Sequence, residues 1–215
     1  MNISQVVIVD DHPIVRAGLA AVIGQDPGLS LCAECGSDEE AVAIVRQQKP
    51  DLAIIDMTLG AASALPLFQR LLQYHPGLRM LALSMHDENI FGLRALKAGA
   101  HGYIMKGSDI HELLGAIHQV LDGQLFLSQQ LRMQLLNNVV HGNPENTGNQ
   151  LSQLTHAELV VLQMLGEGSS RREIAEKLSR SLKTIEAHCS NIRTKLNLKG
   201  AAALAHFAIQ WVKHQ

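Results

Sequence analysis

Up to about residue 125, short apolar runs alternate with longer stretches whose apolar positions recur every three or four residues. The runs are Val6–Val9, Leu29–Ala33, Leu52–Ile55, Met80–Leu83 and Gly102–Met105. Each is brief and almost wholly apolar, as expected of strands buried on both faces of a parallel sheet. The stretches between them predict helices. Pro13 suits the first helical position of one. Ser37 with Glu40 spells a capping box for the next. Ser108 is the expected N-cap of the last, which runs to about Asp122 before Gly123. Five strand–helix repeats predict an α/β doubly wound five-stranded parallel sheet, whose ligands sit outside the carboxyl ends of the strands.

The pattern then changes. SQQLRMQLLNNVVH, residues 128–141, predicts a helix capped by Ser128, and GNPENTGNQ after it has the composition of a linker, a structured surface loop being the alternative. Beyond it no strand signal recurs. Thr155 with Glu158 predicts a second capping box opening a helix to about Leu165, closed by Gly166 and Gly168. Arg171–Leu178 follows, then a helix capped by Ser181 and running to Leu196. Asn197 to Gly200 breaks it before a last helix over Ala201–Val212. The expected division is residues 1–125 as the α/β domain, 126–149 as linker helix and flexible linker, and 150–215 as a small all-α four-helix domain.

Composition narrows the class. At 47% hydrophobic and 18% charged, the chain has material for packed cores, and at 3% aromatic those cores must be aliphatic. No run approaches the roughly 18 apolar residues of a membrane span. The N-terminal MNISQVVIVDDHP lacks the features of a signal peptide. Three cysteines make no disulfide framework. The expectation is a cytoplasmic protein with no membrane partner. The overall charge of −2 conceals an asymmetry: fifteen Asp and Glu face nine Lys and Arg up to residue 150, and five face nine beyond it. A basic tail behind an acidic front makes the tail a candidate for nucleic acid.

Polar residues stand where the sheet ends. Asp10 and Asp11 follow the first strand, Asp56 ends the third, Ser84 the fourth, and Lys106 follows the fifth. Any one alone reads as a turn former. All lie at one carboxyl edge, where crowded carboxylates repel and a divalent cation relieves them. Hard oxygen ligands with room for water suit Mg²⁺. A lysine and a hydroxyl beside them complete a site for a phosphoryl group.

VVIVDDHPIVRAGL, LAIIDMTLG and LALSMHDENIFGLRALKAGAHGYIMKGSD resemble the receiver domain of two-component response regulators, over residues 1 to about 122. The resemblance implies a flavodoxin-like receiver in which Asp56 is the phosphate acceptor, taking its phosphoryl group from a sensor histidine kinase or a small phosphodonor. It implies Asp11, Asp56 and the backbone carbonyl of Thr58 as Mg²⁺ ligands, with Asp10 supporting them from behind. Ser84 and Lys106 would contact the phosphoryl oxygens, and Tyr103 would be the aromatic whose rotamer follows Ser84. Thr58 and His86 stand where the family tunes water access. Two positions depart from the family: Gly60 replaces a usual Pro and Ala64 a usual Gly, which implies a differently shaped loop over the acceptor.

Arg171–Leu178 and Ser181–Leu196 have the lengths and break of a helix-turn-helix, whose second helix lies in a major groove. Leu182, Ile185, Ile192 and Leu196 have the spacing of a core face. Lys183, Thr184, Glu186, Ala187, His188, Ser190, Asn191, Arg193 and Lys195 remain for DNA or solvent. LTHAELVVLQMLGEGSSRREIAEKLSRSLKTIEAHCSNIRTKLNL is similar to the LuxR-type DNA-binding domain of NarL/FixJ regulators, over about residues 150–213. A usual arginine is Ala157, and a usual basic residue is Cys189. Fewer cations on this helix imply modest affinity and a need for dimerisation.

The combined expectation is a response regulator and not an enzyme, apart from its own phosphoryl transfer and dephosphorylation. Its expected partners are a sensor histidine kinase, double-stranded promoter DNA, a second copy when active, and RNA polymerase. One alternative is a phosphorylation-independent DNA binder with a degenerate receiver. Another is a haloacid-dehalogenase-like phosphatase, which would need an Asp where Thr58 stands. Cys32 and Cys35 form a C-x-x-C without partner cysteines and read as core.

Overall fold

In the computed structural model, which describes residues 3–59, 62–140, 151 and 153–213, the apolar runs are strands, those of the sheet's middle buried on both faces and that of the edge strand at Leu29–Cys35 only half-buried. They are β1 (Ser4–Val9), β2 (Leu29–Cys35), β3 (Leu52–Asp56), β6 (Arg79–Ser84) and β7 (Gly102–Met105). Val6–Val9 and Leu52–Ile55 are almost wholly withdrawn from solvent. The five strands are parallel, in the order β2-β1-β3-β6-β7. The chain leaves β1 to one side for β2 and returns to the other for β3, so the crevice where ligands bind opens at the carboxyl ends of β1 and β3.

Helices α1 (Pro13–Ile23), α2 (Asp38–Gln48), α3 (Leu65–Tyr74), α4 (Glu88–Ala98) and α5 (Ile110–Leu121) follow the strands in turn. Ser37 caps α2, but Glu40 reaches back to the Gly36 N–H, so the expected box closes one residue early. Asp109, not Ser108, caps α5: its carboxylate accepts from the Glu112 N–H at 2.9 Å, while Ser108 stays in the preceding turn. A carboxylate at a helix N-terminus also answers the dipole, which a hydroxyl does not. Beyond β3, just after Asp56, lies an unpredicted antiparallel pair, β4 (Thr58–Leu59) and β5 (Ala62–Ser63). Gly60 lies outside the described residues; Ala64 is buried at the start of α3.

After α5, Phe126 forms an isolated bridge with Gly102 beside β7, and Ser128 caps α6 (Gln129–Val140) by accepting from the Leu131 N–H. The expected linker after it falls outside the described residues. The chain divides into compact units at residues 136 and 137.

The second unit contains α7 (His156–Gly166), α8 (Arg171–Lys177), α9 (Leu182–Lys195) and α10 (Ala201–Lys213). Thr155 and Glu158 form the predicted reciprocal box, and Ser170 with Glu173 forms a second one. Ile185, Cys189, Ile192 and Leu196 of α9 and its end face the core; Cys189 takes the place expected for Leu182, which is 41% exposed. Leu182 is the first residue of α9, ahead of the turn that packs. Helices α7 and α10 cross closely at Gly166, where a Cβ would lie 2.4 Å from the Ala208 carbonyl oxygen. Among the described residues no helix is long and apolar enough to cross a membrane.

Candidate functional site

Strand register brings the polar residues to one edge. Val9 pairs with Ile55 and Asp56 with Leu83, so Asp10 and Asp11 leave β1 beside the end of β3. Ser84 pairs with Met105, and Lys106 follows directly. Asp10, Asp56 and Ser84 are buried although polar. Groups of this kind persist in an interior only when paired.

Lys106 supplies the pairing. Its Nζ lies 2.7 Å from Asp56 Oδ2 and 2.8 Å from Asp10 Oδ2. Burial works against the ammonium, but its two carboxylate partners outweigh it and hold the Lys106 pKa above the ordinary lysine value. Burial pushes the Asp56 carboxyl up; the hydrogen bond and charge of Lys106 oppose that rise without cancelling it. Asp56 Oδ1 accepts from the Thr58 N–H at 3.2 Å. Asp10 is fixed by the His12 N–H on its Oδ1, and Arg16 donates to its backbone carbonyl. His12 and Arg16 thus belong to the surroundings of the pocket, although the sequence assigned them nothing. The His12 ring lies 2.8 Å from Asp11 Oδ1.

Asp10, Asp11, His12 and Asp56 each offer a ligand atom within 4.8 Å of the others. Three carboxylates are an all-oxygen set, which fits Mg²⁺; the exposed His12 nitrogen is the poorer ligand for so hard an ion.

Ser84 and Tyr103 are joined through the loop ahead of α4. Ser84 Oγ accepts from the His86 N–H at 3.1 Å, and the Tyr103 hydroxyl donates to the His86 carbonyl at 2.7 Å. The Tyr103 ring is only 2% exposed, and burial pushes its phenol well above the ordinary range. His86 also packs its ring against Phe91, with centroids 5.1 Å apart.

In the helical unit, Lys183, Glu186, Ala187, Ser190 and Asn191 are exposed on α9, while Thr184, His188 and Arg193 are half-buried. The Thr184 N–H and hydroxyl both engage the Ser181 cap. Lys195 stands apart from this set. Its Nζ lies 2.7 Å from Oε2 of Glu158, a carboxylate 2% exposed that also accepts from the Thr155 N–H. Sequence reasoning found Glu158 as a cap and missed its second partner, because nothing local links positions 37 residues apart.

Residues 6–118 match the family model for the response regulator receiver domain, and residues 152–208 that for bacterial regulatory proteins of the luxR family. The oxygen regulatory protein NreC of Staphylococcus haemolyticus (strain JCSC1435) is 31% identical over 210 residues, covering 96% of this chain and 97% of its own. NreC of Staphylococcus aureus (strain JH9) is 32% identical over 210 residues, with the same coverage. A two-component response regulator of the LuxR family from Aurantimonas sp. SI85-9A1 superposes with a TM-score of 0.59 at 33% identity, over 65% of this chain and 99% of its own. RcsB of Salmonella enterica serovar Typhimurium, bound to promoter rprA in the presence of the phosphomimetic BeF3-, has a TM-score of 0.59 at 23% identity, over 96% of this chain and 98% of its own, a likeness of fold. With both family models matched in order and relatives aligned along nearly their whole length, the chain belongs to the two-component response regulators that join a receiver domain to a LuxR-type DNA-binding domain.

Proposed function

We propose that Asp56 is the phosphate acceptor of this receiver, and that its phosphorylation by a sensor histidine kinase switches DNA binding by the helical unit. The observation that carries the reading is the Lys106 ammonium shared between buried Asp56 and Asp10 at the carboxyl edge of the sheet. A carboxylate is a weak nucleophile, so the chain's contribution is alignment and charge neutralisation. A carboxylate oxygen of Asp56 attacks phosphorus as the bond to the donor breaks, and the departing electron pair leaves with the donor's imidazole, which takes up a proton. Lys106 follows the charge onto a phosphoryl oxygen, and Ser84 donates its hydroxyl to another. Asp11, Asp56 and the Thr58 carbonyl would hold Mg²⁺, with Asp10 behind them, and the bound ion would neutralise the phosphoryl oxygens. The chemistry is confined to the chain's own phosphorylation and dephosphorylation.

An apolar groove runs from Lys106 between α1 and α5, lined by Val15, Leu19, Met85, Met105 and Ile110. It supports docking of the kinase beside the acceptor. In the helical unit, Lys183, Thr184, Glu186, Ala187, His188, Ser190, Asn191 and Arg193 are assigned to promoter DNA, and Lys195 to Glu158. Residues 1–125 serve as receiver, 126–149 as connector and 150–215 as DNA-binding domain, acting as a homodimer in the cytoplasm with RNA polymerase as a downstream partner. The RcsB complex with promoter rprA supports this use of the fold.

Intact mass after incubation with acetyl phosphate and Mg²⁺ tests the acceptor. The wild type is expected to gain about 80 Da, one phosphoryl group, and Asp56→Ala to gain nothing. A gain that survives in Asp56→Ala refutes the assignment, as does failure of the wild type to bind either phosphoryl group or beryllofluoride.

A further inference from the structure

Helix α6 starts on the surface of α4. The Ser128 N–H donates to both carboxylate oxygens of Glu88, at 3.0 and 3.2 Å. One turn along, Leu131 is fully buried, and its Cδ2 lies 2.6 Å from where a Cβ on Gly92 would stand. Glu88 and Gly92 are themselves one turn apart on α4, so together they form a socket for the first turn of α6. The segment ahead is tied as well: the Phe126 N–H donates to the His101 carbonyl, and the Phe126 carbonyl accepts from the Tyr103 N–H. The socket has a short path to the acidic pocket. Ser84 holds the His86 N–H, Tyr103 holds the His86 carbonyl, Asp87 caps α4, and Glu88 is the first residue of that helix.

We propose that Glu88, Gly92, Ser128 and Leu131 form a clasp that is closed while Asp56 is unmodified and opens when Asp56 carries a phosphoryl group. The inference rests on the role proposed for Asp56 and Ser84. A Ser84 hydroxyl drawn to a phosphoryl oxygen either drags the His86 N–H with it or releases it. Both outcomes displace the Asp87 cap and Glu88, and the Ser128 N–H loses its acceptor. One partly exposed charge-assisted bond and one buried leucine make a contact small enough for a two-state element to surrender. Helix α6 then carries the state of the pocket onward, since its far end, from Asn137, belongs to the second compact unit.

Residue-resolved amide exchange on the full chain with Mg²⁺, with and without beryllofluoride, tests the clasp. The Ser128 and Leu131 amides are expected to exchange at least about fivefold faster with beryllofluoride, the lower end of ordinary coupling between sites. Glu88→Ala and Leu131→Ala should show the fast rate from the start and gain nothing further, while taking up phosphoryl from acetyl phosphate like the wild type. Glu88→Gln, which keeps an acceptor oxygen, should respond as the wild type does. The clasp is refuted if Ser128 and Leu131 exchange is unchanged or slower in a chain whose Ser84–Asp87 amides do respond. If those loop amides are also silent and no phosphoryl is taken up, the reading of Asp56 fails first and the clasp falls with it.

Discussion

Lys195 and Lys183 both lie on α9, yet their substitution by alanine should have opposite consequences. The Glu158 side chain is 3% exposed and that of Lys195 33%. Removing one partner of a fully buried pair costs about 3–5 kcal/mol. The exposed third of Lys195 admits water, so Lys195→Ala is expected to cost about 2–3 kcal/mol. Trp211 in α10 is the only tryptophan of the chain, so its fluorescence follows unfolding of the helical unit alone. With a urea dependence of about 1 kcal/mol/M for so small a unit, the midpoint should fall by roughly 2–3 M. The logarithmic salt dependence of DNA affinity should not change, because that ammonium is committed to Glu158. Lys183→Ala should leave the midpoint within roughly 0.5 M and lower the salt slope by about 0.9, the share of one phosphate contact. Acid supplies a second check. Burial raises the Glu158 carboxyl, but Lys195 and the Thr155 amide and hydroxyl outweigh burial and hold it below the ordinary glutamate value. Its contribution is therefore present above about pH 4.5 and lost as pH falls through the lower folded-state value. Glu158→Gln, which keeps an acceptor for Thr155, should lack that acid step. A Lys195→Ala chain with an unmoved midpoint and a reduced salt slope would overturn the reasoning.

The remaining predictions concern packing and thiol chemistry. Gly166→Ala sets a Cβ 2.4 Å from both the Ala208 carbonyl oxygen and Val212 Cγ2. Backbone cannot step aside as a side chain can, so a loss of about 2–3 kcal/mol is expected in the Trp211 transition; an unchanged midpoint would show that α7 and α10 separate freely. Burial first, and then the charge of Glu40, push the Cys35 thiol up to about 12. Iodoacetamide at pH 8 should therefore label the half-exposed Cys32 well before Cys35 in the native chain, as peptide mapping would show; equal labelling would contradict the burial of Cys35.

The features that could be read in advance are those whose cause is local or periodic. A buried parallel strand announces itself as an unbroken apolar run, and the carboxyl edge follows from topology, so Asp10, Asp56, Ser84 and Lys106 converge without any sequence proximity. Capping is harder to read where two candidates are adjacent: Ser108 and Asp109 both fit, and the dipole favours the carboxylate. The helical period placed Leu182 in the core, but a first-turn residue has no packed turn before it, and Cys189 fills the row with Ile185, Ile192 and Leu196. The β4–β5 pair escaped notice because two-residue strands leave no periodic trace. Pairings between distant elements, Glu158 with Lys195 and Glu88 with Ser128, have no local signal at all. Each involves a charged residue that, read alone, belongs to a solvated helix face.

The pairing of Lys195 with Glu158 bears on what the proposed dimerisation would have to supply. Two cations remain on α9 for phosphates, exposed Lys183 and half-buried Arg193. At about 0.9 per neutralised phosphate, α9 contributes a salt slope of roughly −1.8 for one copy and roughly −3.6 for two. A phosphoryl group on Asp56 that acts by pairing two copies on one duplex should therefore raise affinity and steepen the salt dependence together. One that acts by uncovering α9 of a single copy should raise affinity at a constant slope. Titrating a duplex selected from a random-sequence pool by the beryllofluoride-loaded chain, over a range of salt and with and without beryllofluoride, separates the two. Steepening by about 1.8 is the expected result, and a constant slope beside increased affinity would refute the pairing of half-sites.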